Sequence, residues 1–119
     1  MKHFTKHETV NNDSCTSLYS GVSKDELDKE VDKLFKYRGY KLKEGTPGNA
    51  TYEKGSKTMR ILFGAFAKHF VFKIKTYSNE PDTVKVTVVK GTSGIAGGLV
   101  GMKQVKNELT RISNVLETI

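Results

Sequence analysis

The chain has 119 residues, which suits a single domain with a buried core. Its 36% hydrophobic and 28% charged residues exclude a disordered chain, and no run approaches the roughly 18 to 20 apolar residues of a membrane span. The formal net charge of +7 is common on soluble surfaces, but it also permits an anionic partner such as nucleic acid, an acidic protein or anionic lipid.

The N-terminal part of the chain is polar and holds the single cysteine. Cys15 has no partner for an internal disulfide, which fits a reducing compartment, and the first basic residues precede no apolar run of a signal peptide. We therefore expect a cytoplasmic protein. Residues 1–16 alternate only weakly and predict a partly mobile segment, either a strand or a loose tail. Residues 17–119 are predicted to form one α+β domain, which begins with a short strand at 18–22.

The first helix has clear start and stop signals. Ser23 and Glu26 have the spacing of a capping box, and Gly39 is placed as a left-handed terminator. One apolar stripe runs between them at helical spacing, formed by Leu27, Val31, Leu34 and Phe35. The pattern predicts a helix over about 24–38.

After Gly39 the apolar period changes from helical spacing to two, which is typical of strands. Strand patterns occur near residues 40–43, 51–54, 70–77 and 84–88, and the last two predict a hairpin. Residues 59–67 are ambiguous by periodicity, although their aromatic and β-branched content favours a strand. The sequence therefore predicts four or five consecutive antiparallel strands.

The C-terminal part predicts a long amphipathic helix over about 95–118. Its apolar stripe consists of Met102, Val105, Leu109, Ile112, Leu116 and Ile119. The predicted fold is α+β, with an antiparallel sheet of four to six strands, both helices on one face and the order (β)-α-β-β-β-β-α. This order resembles helix-grip and TATA-binding-protein-like domains at the level of fold, and no motif carries functional residues over.

A glycine-rich, uncharged stretch over 91–101 leads into this helix. It lacks the Gly-Lys-Ser/Thr of a P-loop and the spacing of a dinucleotide fingerprint. Three interpretations are open: a bare helix edge in close packing, a loop whose amides bind an anion, or an exposed apolar segment that touches a partner or a membrane.

Catalytic and metal-binding patterns are weak. His3 and His7 lie near Glu8 and Cys15, but their spacing matches no zinc pattern. His69 has no acid or nucleophile near it in the sequence. No set of nucleophile, base and orienting residue can be assembled, so we expect a non-enzymatic protein without a metal or cofactor.

Two binding functions are consistent with these patterns. The leading hypothesis is a hydrophobic small molecule or a protein partner held between the sheet and the C-terminal helix. Its predicted walls are Phe63, Phe66, Phe70 and Phe72, and its predicted mouth is Gly94, Gly97, Gly98 and Gly101. The alternative is nucleic acid or another anionic surface bound by the opposite sheet face, with Lys41, Lys43, Lys73, Lys75 and Lys85. Tyr77 is the plausible stacking residue on that face, and we expect a monomer or a weak homodimer.

Overall fold

A computed structural model of the chain describes residues 3–11, 13–55, 70–80, 82–91 and 98–119. In these ranges the elements are β1 (Phe4–Val10), β2 (Ser14–Ser20), α1 (Lys24–Tyr37), β3 (Lys41–Thr46), β4 (Asn49–Lys54), β5 (Phe70–Glu80), β6 (Thr83–Lys90) and α2 (Gly98–Leu116). The predicted α+β class and element order are confirmed. Within the described ranges, no helix is both long and apolar enough to cross a membrane.

The six strands form one antiparallel sheet in the order β1-β2-β6-β5-β4-β3. Strands β5 and β6 form the predicted hairpin and lie in the middle of the sheet. Among the described strands, β1 and β3 lie at the two ends of this order. The hairpin residues therefore have a paired strand on each side, and their alternate side chains point to opposite faces of the sheet.

Helix α1 begins and ends where the sequence signals predict. The Ser23 hydroxyl accepts a hydrogen bond from the Glu26 amide at 3.1 Å, which satisfies one of the first unpaired N–H groups. The helix ends at Tyr37, and Gly39 follows with a φ of +92°, a conformation that favours glycine. The predicted boundary at residue 38 differs from the observed one by a single residue.

Helix α2 spans Gly98–Leu116 and lies at the other end of the chain. The sequence predicts it over 95–118, so the observed helix ends two residues earlier, where Thr118 and Ile119 make turn hydrogen bonds to Val115 and Leu116. Residues 95–97 lie outside the described ranges. The predicted strand over 59–67 lies outside them as well.

The core lies between the two helices and one face of the sheet. Both helices direct their apolar stripes at this face, as expected for amphipathic helices on an antiparallel sheet. The buried apolar side chains come from α1 (Leu27, Val31, Phe35), α2 (Val105, Leu109, Ile112, Leu116) and the sheet (Cys15, Tyr19, Ala50, Tyr52, Phe70, Phe72, Ile74, Val84, Val86, Val88), together with Tyr40. Neither described helix covers the opposite face of the sheet.

Two strands precede α1: β1 is the strand that the sequence left open for residues 1–16, and β2 includes part of the strand predicted at 18–22. Strand β1 pairs with β2 through an irregular register with two shifts, and β2 pairs along its whole length with β6. Residues 18–20 of the predicted strand are thus the end of a longer strand over Ser14–Ser20, and residues 21 and 22 lie beyond it. The mobility of residues 1–16 is a separate property and stays a prediction.

Candidate functional site

The sheet face opposite the helices is called the outer face. On β5 and β6 the buried side chains alternate with residues that point away from the core, and the registers align them across strands. The outer face comprises Thr16, Leu18, Lys41, Lys43, Thr51, Glu53, Lys73, Lys75, Tyr77, Lys85, Thr87 and Val89. The structure therefore places all five predicted lysines on one face, together with Tyr77.

A groove of about 860 Å³ lies on the outer face over β4, β5 and β6. It is lined by Glu44, Gly45, Asn49, Ala50, Thr51, Lys73, Ile74, Lys75, Tyr77, Thr87 and Val89. The registers put Lys73 opposite Val89 and Lys75 opposite Thr87. Charged, hydroxyl, amide and apolar groups therefore meet in one shallow depression, which suits a ligand that is both charged and partly apolar.

Several lysines around this groove are neutralised by acids. Lys43 lies 3.8 Å from the Glu53 carboxylate, and Lys85 lies 3.2 Å from that of Glu8. Lys90, at the end of β6, lies 2.9 Å from the carboxylate of Asp13. These pairs are partly exposed, so each contributes little to stability, but each lowers the local positive charge.

Lys73 and Lys75 differ from these paired lysines. Both side chains are exposed on the central strand β5, and no acid of the described ranges lies within ion-pair distance of either. Because they are two residues apart on a strand, they stand about 7 Å apart on the same face. Lys73 and Lys75 therefore form a pair of adjacent unpaired charges at the centre of the outer face.

Tyr77 continues the same row along β5. Its side chain is 37% exposed, and its hydroxyl lies 3.3 Å from that of Thr87 on the neighbouring strand. Val89, on the same face, is 38% exposed. The Tyr77 ring and the Val89 side chain thus provide exposed apolar surface near the unpaired lysines.

The residues of the leading hypothesis are placed differently. Phe70 and Phe72 are buried and stack on each other at 6.4 Å between ring centroids, and Phe72 also contacts Tyr40. They are part of the packed core. Gly98 begins α2, and Gly101 lies in its first turn. Phe63, Phe66, Gly94 and Gly97 lie outside the described ranges.

A polar cluster is buried between α1 and α2, and sequence analysis missed it. The Glu108 carboxylate, 2% exposed, accepts a hydrogen bond from the Tyr40 hydroxyl at 2.6 Å and lies 3.4 Å from both Arg38 and Arg111. Burial and the hydrogen bond to Glu108 raise the pKa of Tyr40 well above its ordinary value. The buried carboxylate is thus compensated by two guanidinium groups, and the cluster links α2 to the start of β3.

The N-terminal histidine and cysteine come together, but not as a reactive site. His7 Nδ1 lies 2.8 Å from the Ser17 hydroxyl and 3.7 Å from Cys15 Sγ, and Nε2 lies 3.7 Å from the Glu117 carboxylate. Burial raises the pKa of the Cys15 thiol, which disfavours the nucleophilic thiolate. In the described part of the chain, no three His, Cys, Asp or Glu side chains are arranged to hold a metal ion.

Comparison with known proteins adds no relative. No protein-family model matches the chain, and neither the curated proteins nor the solved structures gave a significant match. A functional assignment therefore rests on the geometry of the chain itself.

Proposed function

We propose that this protein is a non-catalytic binding domain whose outer face binds a negatively charged partner. The observation that supports this most directly is the position of Lys73 and Lys75. They are exposed at the centre of the sheet, beside a groove, and without an acid partner among the described residues. Lysines without such partners gain most from an anion, because no existing ion pair has to be broken.

The net charge supports the same function at longer range. A charge of +7 attracts anions before contact, and the central lysines then position them. Association of this kind weakens as salt increases, because bound counterions are released when the partner binds.

A hydrophobic ligand between the sheet and α2 is less well supported. Two of its predicted walls, Phe70 and Phe72, are already packed against other core side chains. A ligand in contact with them would have to displace Tyr40 or another part of that core. The outer face requires no such rearrangement, so we favour it, and a partner between sheet and helix stays a prediction.

We also propose a location, a chemistry and an oligomeric state for the protein. We place the protein in the cytoplasm, since Cys15 is a single buried thiol that fits a reducing environment. We propose no catalytic step and no cofactor, because binding through lysines and hydroxyl groups requires neither. We propose a monomer or a weak homodimer.

A charge-reversal experiment tests this function. The variant Lys73→Glu/Lys75→Glu reverses the two central charges. The variant Lys29→Glu/Lys33→Glu makes the same change in net charge on the exposed surface of α1. Fluorescein-labelled heparin, poly-L-glutamate and a 12-nucleotide oligothymidylate are titrated in low salt by fluorescence anisotropy.

We expect at least one polyanion to bind the parent protein, with an affinity that falls as salt is added. The β5 variant should lose at least about tenfold in affinity, which corresponds to roughly 1.4 kcal/mol. The α1 variant should lose much less. The proposal is wrong if none of the three polyanions binds, or if both variants lose affinity equally.

A further inference from the structure

We infer that the partner on the outer face is a single-stranded nucleic acid, with one base stacked on Tyr77. This inference rests on the proposed function, because it requires that the outer face bind anions. It goes further by naming the partner class and the residue that distinguishes this class from other polyanions. Three features support it: the order of side chains along β5, the groups that line the groove, and the distribution of charge.

The order of side chains along β5 matches a nucleic-acid strand, which has a charged backbone and flat bases. Lys73, Lys75 and Tyr77 follow one another on the same face in steps of about 7 Å. Lysines at two successive positions can contact successive phosphates, and an aromatic ring beside them offers a surface for a base. A partly exposed tyrosine ring stacks on any base, because every base has a flat face.

The groove also offers hydrogen-bonding groups beside Lys73 and Lys75 on β5. Asn49 and Thr51 on β4 and Thr87 on β6 line it, so amide and hydroxyl groups flank β5 on both sides. Such groups donate to and accept from base edges. A sulfated polysaccharide or an acidic peptide would use the lysines, but neither has flat rings to stack on Tyr77.

The distribution of charge on the outer face limits how a nucleic-acid strand can lie on it. Glu44 lines the groove on the β3 side, in the same cross-strand row as Thr51 and Lys73, and repels phosphate, while Lys85 beside Tyr77 is already paired with Glu8. Phosphates are therefore favoured along Lys73 and Lys75, with the bases directed at Tyr77 and the groove. Bases in a duplex are paired and stacked on each other, so they cannot take this position without unpairing.

The test compares the single strand with an equally charged strand that lacks bases, and with polyanions of other kinds. The probes are a fluorescein-labelled 12-nucleotide oligothymidylate, an abasic oligonucleotide of the same length, a 12-base-pair duplex and poly-L-glutamate, each titrated at low salt. The variants are Tyr77→Ala, Tyr77→Phe and, as a matched control, Tyr37→Ala, whose side chain is 93% exposed on α1. Circular dichroism checks that each variant is folded.

We expect the oligothymidylate to bind more tightly than the abasic strand and the duplex. Tyr77→Ala should weaken its binding by roughly 5- to 150-fold, the range for loss of one stacked base. Tyr77→Phe should keep most of the affinity, because the ring remains. Tyr37→Ala should bind as the parent does.

The failures of the two proposals are distinguishable. If the abasic strand binds as tightly as the oligothymidylate, or if Tyr77→Ala has no effect, stacking is wrong while the anion-binding function remains. If poly-L-glutamate or the duplex binds more tightly than the single strand, the partner is an acidic protein or a duplex, and the inference is overturned. If none of these polyanions binds, both proposals are wrong.

Discussion

The buried hydrogen bond between Tyr40 and Glu108 should be a major determinant of stability. Both side chains are at most 3% exposed, and the 2.6 Å distance between their oxygens is that of a charge-assisted bond. Tyr40→Phe removes only the hydroxyl, so the ring packing is kept. The carboxylate loses its closest donor but keeps Arg38 and Arg111 at 3.4 Å.

These remaining partners set the magnitude. A buried charge with no partner costs about 3 to 5 kcal/mol, whereas loss of one hydrogen bond to a charged group costs about 1.5 to 3 kcal/mol. Because two arginines remain near Glu108, we expect the lower range, about 2 kcal/mol. For a domain of this size that corresponds to a fall in melting temperature of roughly 8 °C.

Urea unfolding and thermal melting measure this effect directly. Tyr37→Phe is the matched control, since the Tyr37 side chain is 93% exposed and the free energy of unfolding should not change. If Tyr40→Phe lowers the free energy of unfolding by less than about 0.5 kcal/mol, the view that the cluster stabilises α2 against the sheet is refuted.

Two further predictions concern pH and a tight turn. Burial raises the pKa values of Tyr19, Tyr40 and Tyr52, so the folded state keeps these phenols neutral where the unfolded chain ionises them, above about pH 10. The unfolded state then binds fewer protons, so stability should fall as pH rises, by up to about 4 kcal/mol per pH unit for the three groups together. In urea titrations from pH 8 to 11, the stability advantage of the parent over Tyr40→Phe should shrink, and a constant difference would contradict this. Gly48→Ala should cost roughly 2 to 5 kcal/mol, because φ is +99° and a methyl group there would overlap the buried Asp28 carboxylate. Gly39→Ala, at a φ of +92° but 3.5 Å from only the flexible Lys54 side chain, should cost about 1 to 2 kcal/mol, and equal losses in the two variants would refute the packing argument.

Much of the fold follows from local patterns that are visible in the sequence. The Ser23 cap and the Gly39 terminator define α1, because each acts on neighbouring backbone groups. The alternation of valines with Lys85 and Thr87 over 84–88 predicts a strand with one buried face. Strand β1 is harder to predict, because it is a polar edge strand and only its pairing with β2 defines it.

The burial of Glu108 shows a limit of predicting buried positions from helical periodicity. Glu108 is not part of the apolar stripe predicted for α2, yet it is three residues after Val105 and next to Leu109. That spacing puts it at the border of the apolar stripe. Its partners Arg38 and Tyr40 are about 70 positions away in the sequence, so no local signal could identify the cluster.

The candidate site was predicted in part. Period-two alternation predicted the outward direction of the five lysines. It could not distinguish lysines that form an ion pair with an acidic side chain from those that do not. Glu8 neutralises Lys85 from 77 residues away, through the sheet order. The same limit applies to the groove, because Asn49, Thr87 and Val89 come together only when β4, β5 and β6 align.

The central claim is that the outer face is the binding surface, and an NMR titration tests it most directly. Oligothymidylate of 12 nucleotides is added at low salt to the ¹⁵N-labelled protein, and amide shifts are mapped onto the sheet. We predict that the largest changes occur at residues 73–77 and 85–89, which form the centre of the outer face. Changes confined to α1 and α2, with β5 and β6 unaffected, would contradict the claim.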